Sequence, residues 1–167
     1  ILGAILGIVS LFLMIFTTEK NKERMDLSIK EITIINELAL TVGMVLLAIG
    51  TFLGGQWANE SWGRYWGWDP KETWALISLI VYAFVIHMRL IPGLRGRWLF
   101  NFSSIIALGS ILFTWWGVNY YLSGLHAYQS GGDIATQKIF VTLGVLSVLG
   151  FFSYRKYRKF YVNKTKA

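Results

Sequence analysis

The chain has 167 residues, 54% of them hydrophobic and 15% charged, with a mean hydropathy of +0.50. A typical soluble domain carries about 45–50% and about 25%, so an ordinary soluble globule and a disordered chain are both excluded. The chain has no Cys, which removes disulfides, Cys-ligated zinc and a thiol nucleophile from its own chemistry. The formal net charge of +7 suits nucleic acid or a membrane surface, and only the placement of the charges separates these two.

A helical span needs roughly 20 mostly apolar residues. Residues 1–17, 32–53, 70–90, 99–122 and about 134–153 meet or approach that length. They predict an all-α, polytopic membrane protein of about five transmembrane helices, apolar nearly all round where a soluble helix would keep a charged face. The first stretch lacks a polar leader followed by a small-residue cleavage site, so it does not read as a signal peptide. Its Gly3 and Gly7 form a GxxxG pair, a helix-contact signal. The segment 18–31 that follows holds Lys20, Lys22, Arg24 and Lys30. Near the start of the second span, Asn36 and Glu37 read equally as a buried polar contact or as side chains reaching the membrane edge.

The third span has a marked start. Asp69 suits an N-cap, Pro70 the first helical position, and Glu72 the third position of a capping box. Pro92 and Gly93 in IPGLRGR break the chain before the fourth span, predicting an antiparallel pair. Of the 16 basic residues, 13 fall in segment 18–31, in turn 89–98 and after Ser153. The positive-inside rule puts these segments in the cytoplasm, with the C-terminus. The loops 54–69 and 123–133 then share the outer side. This alternation assigns the +7 to topology and to an anionic lipid bilayer, and the nucleic-acid reading falls away.

The segment 57–74, WANESWGRYWGWDPKETW, holds five of the eight Trp: Trp57, Trp62, Trp66, Trp68 and Trp74. An interfacial aromatic belt needs fewer. Gly63 and Gly67, interleaved with the rings, let a backbone come close to a ligand, so belt and planar-ligand platform both stand at this point. The string Trp62-Gly63-x-x-Trp66-x-Trp68-Asp69-Pro70-x-Glu72 resembles the tryptophan-rich "WWD" signature of the haem-handling membrane proteins of cytochrome c biogenesis. Within that superfamily it resembles the CcsA- or ResC-like part of the system II cytochrome c synthases, known also as a CcsBA fusion. The resemblance covers most of the chain.

The resemblance implies that the outer loop binds haem b (iron protoporphyrin IX) and presents it to an apocytochrome c bearing C-x-x-C-H. It implies the function of a holocytochrome c synthase-type lyase in a bacterial inner membrane, working with a thiol-reducing partner. The haem-binding residues it implies are Trp57, Trp62, Gly63, Trp66, Gly67, Trp68 and Asp69. The two histidines, His87 and His126, match in order a histidine implied to ligate haem within the membrane and one implied to ligate it at the external site. Without the resemblance, His87 reads equally as a neutral hydrogen-bonded residue, and His126 as a loop bystander. Each implied site has a single histidine here. The expectation is therefore that residues 1–167, which begin without Met, are the C-terminal part of a larger protein. Its remaining N-terminal part, or a CcsB-like subunit, would supply the second ligands. Capping explains Asp69 and Glu72 better than a role on haem. Arg64 and Lys71 read as interfacial cations or propionate partners, and Tyr120, Tyr121 and Tyr128 as pocket or interface residues. Two other functions stay open: a haem exporter or chaperone that makes no thioether, and a haem-free membrane transporter or scaffold.

Overall fold

The computed structural model describes residues 1–122 and 136–162. Those residues are mostly helical, with no strand among them. The elements are α1 (Leu2–Ile15), α2 (Lys22–Trp62), α3 (Pro70–His87) with a 3-10 turn (Met88–Leu90), and α4 (Arg97–Leu112). A π-helical turn (Phe113–Gly117) then leads into the short α5 (Val118–Tyr121), and α6 (Thr136–Tyr157) ends in a second π-helical turn (Arg158–Val162). Four helical segments, Lys22–Trp62, Pro70–Leu90, Arg97–Tyr121 and Ile139–Val162, are long and apolar enough to cross a membrane, and Leu2–Ile15 is shorter.

Two expected loops are much shorter than the composition suggested. Helix α2 runs for 41 residues, about 60 Å at 1.5 Å per residue, or twice a hydrocarbon core of roughly 30 Å. It therefore absorbs most of the segment 18–31 at one end and residues 54–62 at the other. Only residues 63–69 of the expected loop 54–69 are non-helical. The Gly54-Gly55 pair lies inside the helix, and the stop falls at Gly63, whose φ of 69° is the left-handed C-cap and whose N–H donates to the Asn59 carbonyl at 2.8 Å. The basic residues Arg155 to Lys159 likewise lie on helix rather than on a free tail.

The start of α3 follows the expected chemistry. The Asp69 carboxylate accepts from the Lys71 N–H at 3.2 Å, and Glu72 Oε2 accepts from the Asp69 N–H at 3.2 Å, completing a capping box before Pro70.

Helix α1 packs against α2, α4 and α6, and α3 packs against α2 and α4. Leu40, Tyr82, Val85 and Phe100 form one apolar cluster, and Leu11, Met14, Ile29 and Ile105 another. Lipid is as apolar as these side chains, so small residues and buried hydrogen bonds must hold the helices together. Both are present. Asn36 Nδ2 donates to Asn101 Oδ1 at 3.0 Å and to Ser104 Oγ at 2.9 Å, while Asn101 Nδ2 donates to Thr33 Oγ1 at 2.8 Å. Ser104 Oγ lies 3.3 Å from the Gly3 carbonyl. Asn36 is thus a buried contact. Glu37 pairs instead with Arg89 of the α3–α4 turn, and Arg97 with Asp26 at 2.6 Å.

Gly3 and Gly7 are the faces of α1 on which this polar cluster sits. A Cβ at Gly7 would lie 2.6 Å from the Asn101 carbonyl and 2.6 Å from Ser104 Oγ. Backbone at that distance cannot yield. Gly7→Ala should cost about 1–3 kcal/mol, read as a lower Tm in detergent, whereas Gly43→Ala, where a Cβ meets nothing within 4 Å, should cost nothing.

Candidate functional site

The tryptophan segment is held by its own backbone chemistry. Glu72 Oε2 accepts from the Gly67 N–H at 2.7 Å as well as from Asp69, and Thr73 Oγ1 lies 3.4 Å from the Trp68 carbonyl. Between these anchors Trp68 takes a φ of 57°. A bulky side chain in the left-handed region costs on the order of 1–2 kcal/mol and persists only where its surroundings over-determine it. Glu72→Ala removes two anchors at once. It should speed proteolytic cleavage between Gly63 and Asp69 while leaving the rest of the bundle protected; equal cleavage rates in the variant and the parent would refute this.

The indole rings do not form one flat face. Trp57 and Trp62 meet edge to face, with centroids 5.1 Å apart at 78°, and Trp66 and Trp68 do the same at 5.8 Å and 88°. One ring of each pair, Trp57 and Trp66, lines a cavity of about 470 Å³ together with Tyr65. Gly50 and Gly54 lie on the same face of α2 as Trp57 and leave that wall open, and Lys71, Glu72 and Thr114 also line the cavity. Trp62 and Trp68 stand outside the lining; Trp68 is 70% exposed. Gly63 and Asp69 serve as helix caps and Gly67 as a backbone donor to Glu72. A Cβ at Gly67 would collide with the Arg64 guanidinium, so this glycine makes room for that cation.

The far wall depends on the π-helical turn. It adds a residue per turn and sets Thr114 so that its Oγ1 lies 3.1 Å from the Trp74 carbonyl and 3.0 Å from Ser78 Oγ. Trp74 itself packs on Phe113 at 4.2 Å, and Phe113 stacks with Tyr121 at 6.4 Å. Lys71 Nζ reaches Asn119 Oδ1 at 3.5 Å, leaving an ammonium at the cavity edge. The signal for Gly50 and Gly54 was present in the sequence as small residues spaced along one apolar face. Nothing in the sequence pointed to Thr114, because a π turn is set by packing.

His87 belongs elsewhere. It is the last α-helical residue of α3, exposed, beyond the buried Val85 and Ile86. Ala75 lines the tryptophan cavity, and His87 lies twelve residues further on, about 18 Å along the helix. The His87 Nδ1 lies 2.7 Å from the Ala83 carbonyl. A carbonyl only accepts, so Nδ1 carries the hydrogen and a neutral ring leaves its Nε2 lone pair free. Arg89, paired with Glu37, lies two residues beyond. His126 and Tyr128 lie outside the described residues.

The cavity is walled by aromatic and small apolar residues, with one cation, Lys71, and one carboxylate, Glu72, whose Oε2 is engaged by the Gly67 and Asp69 N–H groups. Among the described residues, no His or Met lines it.

The description "Cytochrome C assembly protein" matches residues 1–126. The chain belongs to the cytochrome c assembly protein family. Within the family, Protein NrfI of Wolinella succinogenes is 49% identical over 132 residues, covering 79% of this chain and 14% of that protein. Cytochrome c biogenesis protein CcsA of Chlamydomonas reinhardtii is 39% identical over 132 residues, covering 77% and 36%, and CcsA of Prochlorococcus marinus is 44% identical over 101 residues, covering 59% and 31%. The chain is CcsA-like and spans between about a seventh and about a third of the length of these relatives. With its four long apolar helices, this family member is a multi-pass membrane protein.

Proposed function

We propose that the chain is the tryptophan-bearing, haem-handling part of a cytochrome c maturation protein, with haem b as its substrate. The observation that carries this reading is the cavity walled by Trp57, Tyr65 and Trp66 with Lys71 at its edge, in a CcsA-like chain. The aromatic walls take the macrocycle and Lys71 a propionate. His126 and a histidine elsewhere in the longer protein hold the iron. Haem supplies two vinyl groups, to which the C-x-x-C-H thiols of apocytochrome c add, each sulfur bonding carbon and its proton going to the neighbouring vinyl carbon. The chain's residues contribute position and a dry apolar surface rather than covalent chemistry. In this reading the tryptophan end faces the outer side of a bacterial inner membrane and the basic end the cytoplasm, where His87 offers Nε2 to haem on its way in. A thiol-reducing partner keeps the apocytochrome reactive.

The test is the absorbance spectrum of the complete protein and its reaction with apocytochrome c and reductant. Bis-histidine haem and a covalent product are expected, with both lost or reduced in His126→Ala. Haem bound without covalent product would favour an exporter, and a colourless preparation would overturn the reading.

A further inference from the structure

The basic end of α6 has a chemistry of its own. Residues 134–167 contain seven Lys and Arg and no Asp or Glu, so the whole formal net charge of +7 resides there. Five residues at helical spacing, Phe151, Tyr154, Arg155, Arg158 and Lys159, line a groove of about 420 Å³, and all five are exposed. The spacing i, i+3, i+4, i+7, i+8 is one helix face. The aromatic rings occupy the half nearer the apolar part of α6 and the three cations the C-terminal half. Among the described residues, no carboxylate lines the groove. A neighbouring hollow near Arg97, in contrast, mixes Lys20 and Lys22 with Glu19, Glu23 and Asp26.

The groove is set by the bundle. Trp98 Nε1 donates to Ser153 Oγ at 2.9 Å on the buried side of α6, and the Trp98 ring packs on Tyr154 at 4.8 Å, fixing which face turns outward. The Arg155 guanidinium lies 5.7 Å above the Phe151 ring and the Lys159 ammonium 5.3 Å above Phe160, which holds both cations along the helix. Lys156 is not part of this set; its Nζ points back to the Thr17 carbonyl at 3.5 Å.

We propose that this face binds an anionic phospholipid, with the headgroup phosphate on Arg155, Arg158 and Lys159 and an acyl chain along Phe151 and Tyr154. Charge complementarity selects the headgroup, and the aromatic half, at the depth where a chain leaves its headgroup, selects a lipid over a soluble phosphate. The inference is independent of how haem is handled.

The complete protein in detergent, mixed with equal phosphatidylglycerol and phosphatidylcholine, is examined by native mass spectrometry. Selective retention of phosphatidylglycerol is expected. Each cation near a membrane surface is worth about fivefold in binding, so Arg155→Gln, Arg158→Gln and Lys159→Gln together should lower retention roughly a hundredfold. Phe151→Ala with Tyr154→Ala keeps every charge and should still lower it roughly threefold. Lys164→Gln with Lys166→Gln should change little. Equal retention of the two lipids, an equal loss in the Lys164 and Lys166 variant, or displacement of phosphatidylglycerol by millimolar inorganic phosphate would each overturn the proposal.

Discussion

Gly54→Leu should abolish haem handling without weakening the fold. A Cβ at Gly54 meets nothing within 4 Å, and the residue lines the cavity one helical turn before Trp57 on α2. A leucine there extends into the space that a planar ligand would occupy. It also replaces a glycine inside a helix, which is worth about 0.5–1 kcal/mol of stability. The expected result is a Tm equal to or above that of the parent, with haem retention and cytochrome maturation down at least about tenfold, or 1.4 kcal/mol of binding. Misfolding cannot produce that combination. Gly43→Leu makes the comparison sharp, because a Cβ there is equally free but the residue does not line the cavity. It should leave haem and maturation unchanged. If Gly54→Leu binds haem as the parent does, the cavity is not the haem site.

His87→Ala should remove haem from the basic end while leaving the bundle intact. The residue is exposed and, among the described residues, its ring hydrogen-bonds only the carbonyl of its own helix, so its removal should change stability by no more than about 0.5 kcal/mol. On the proposed role, loss of the Nε2 donor should cost roughly tenfold or more in iron affinity. The spectrum of haem remaining on the complete protein should then be that of the tryptophan end alone, and loading of that end from the cytoplasmic side should slow. Unchanged total haem with unchanged maturation would remove His87 from the pathway. Because the cavity and His87 lie about 18 Å apart along α3, the Gly54 and His87 variants should affect two separable haem populations rather than one.

Much of the scaffold was legible because it rests on local chemistry. Asp69, Pro70 and Glu72 sit at fixed spacing around one helix start, and a capping box needs nothing from afar. Gly3 and Gly7 marked a close approach, which the structure places against Asn101 and Ser104. Glu37 was ambiguous because its partner, Arg89, lies 52 residues on in sequence. The tryptophan segment was the hardest to divide. Gly54-Gly55 and a run of polar and aromatic residues look like a loop, yet Gln56 to Trp62 contain no Pro and continue α2 until Gly63 ends it in the left-handed region.

By itself, the amino-acid order determined that the chain is helical and membrane-bound, that one end is basic and the other rich in Trp, and which family signature it carries. Those follow from composition, spacing and charge, which act over a few residues or sum over the whole chain. Tertiary structure decided which rings face the cavity. Trp57 arrives from α2, Trp66 from the turn before α3 and Thr114 from the π turn after α4, so their meeting depends on how three separate elements pack. It also decided that the open glycines of α2 line the cavity beside Trp57. A glycine carries no side chain to announce its role, and whether the space beside it is filled or empty depends on its neighbours in the fold.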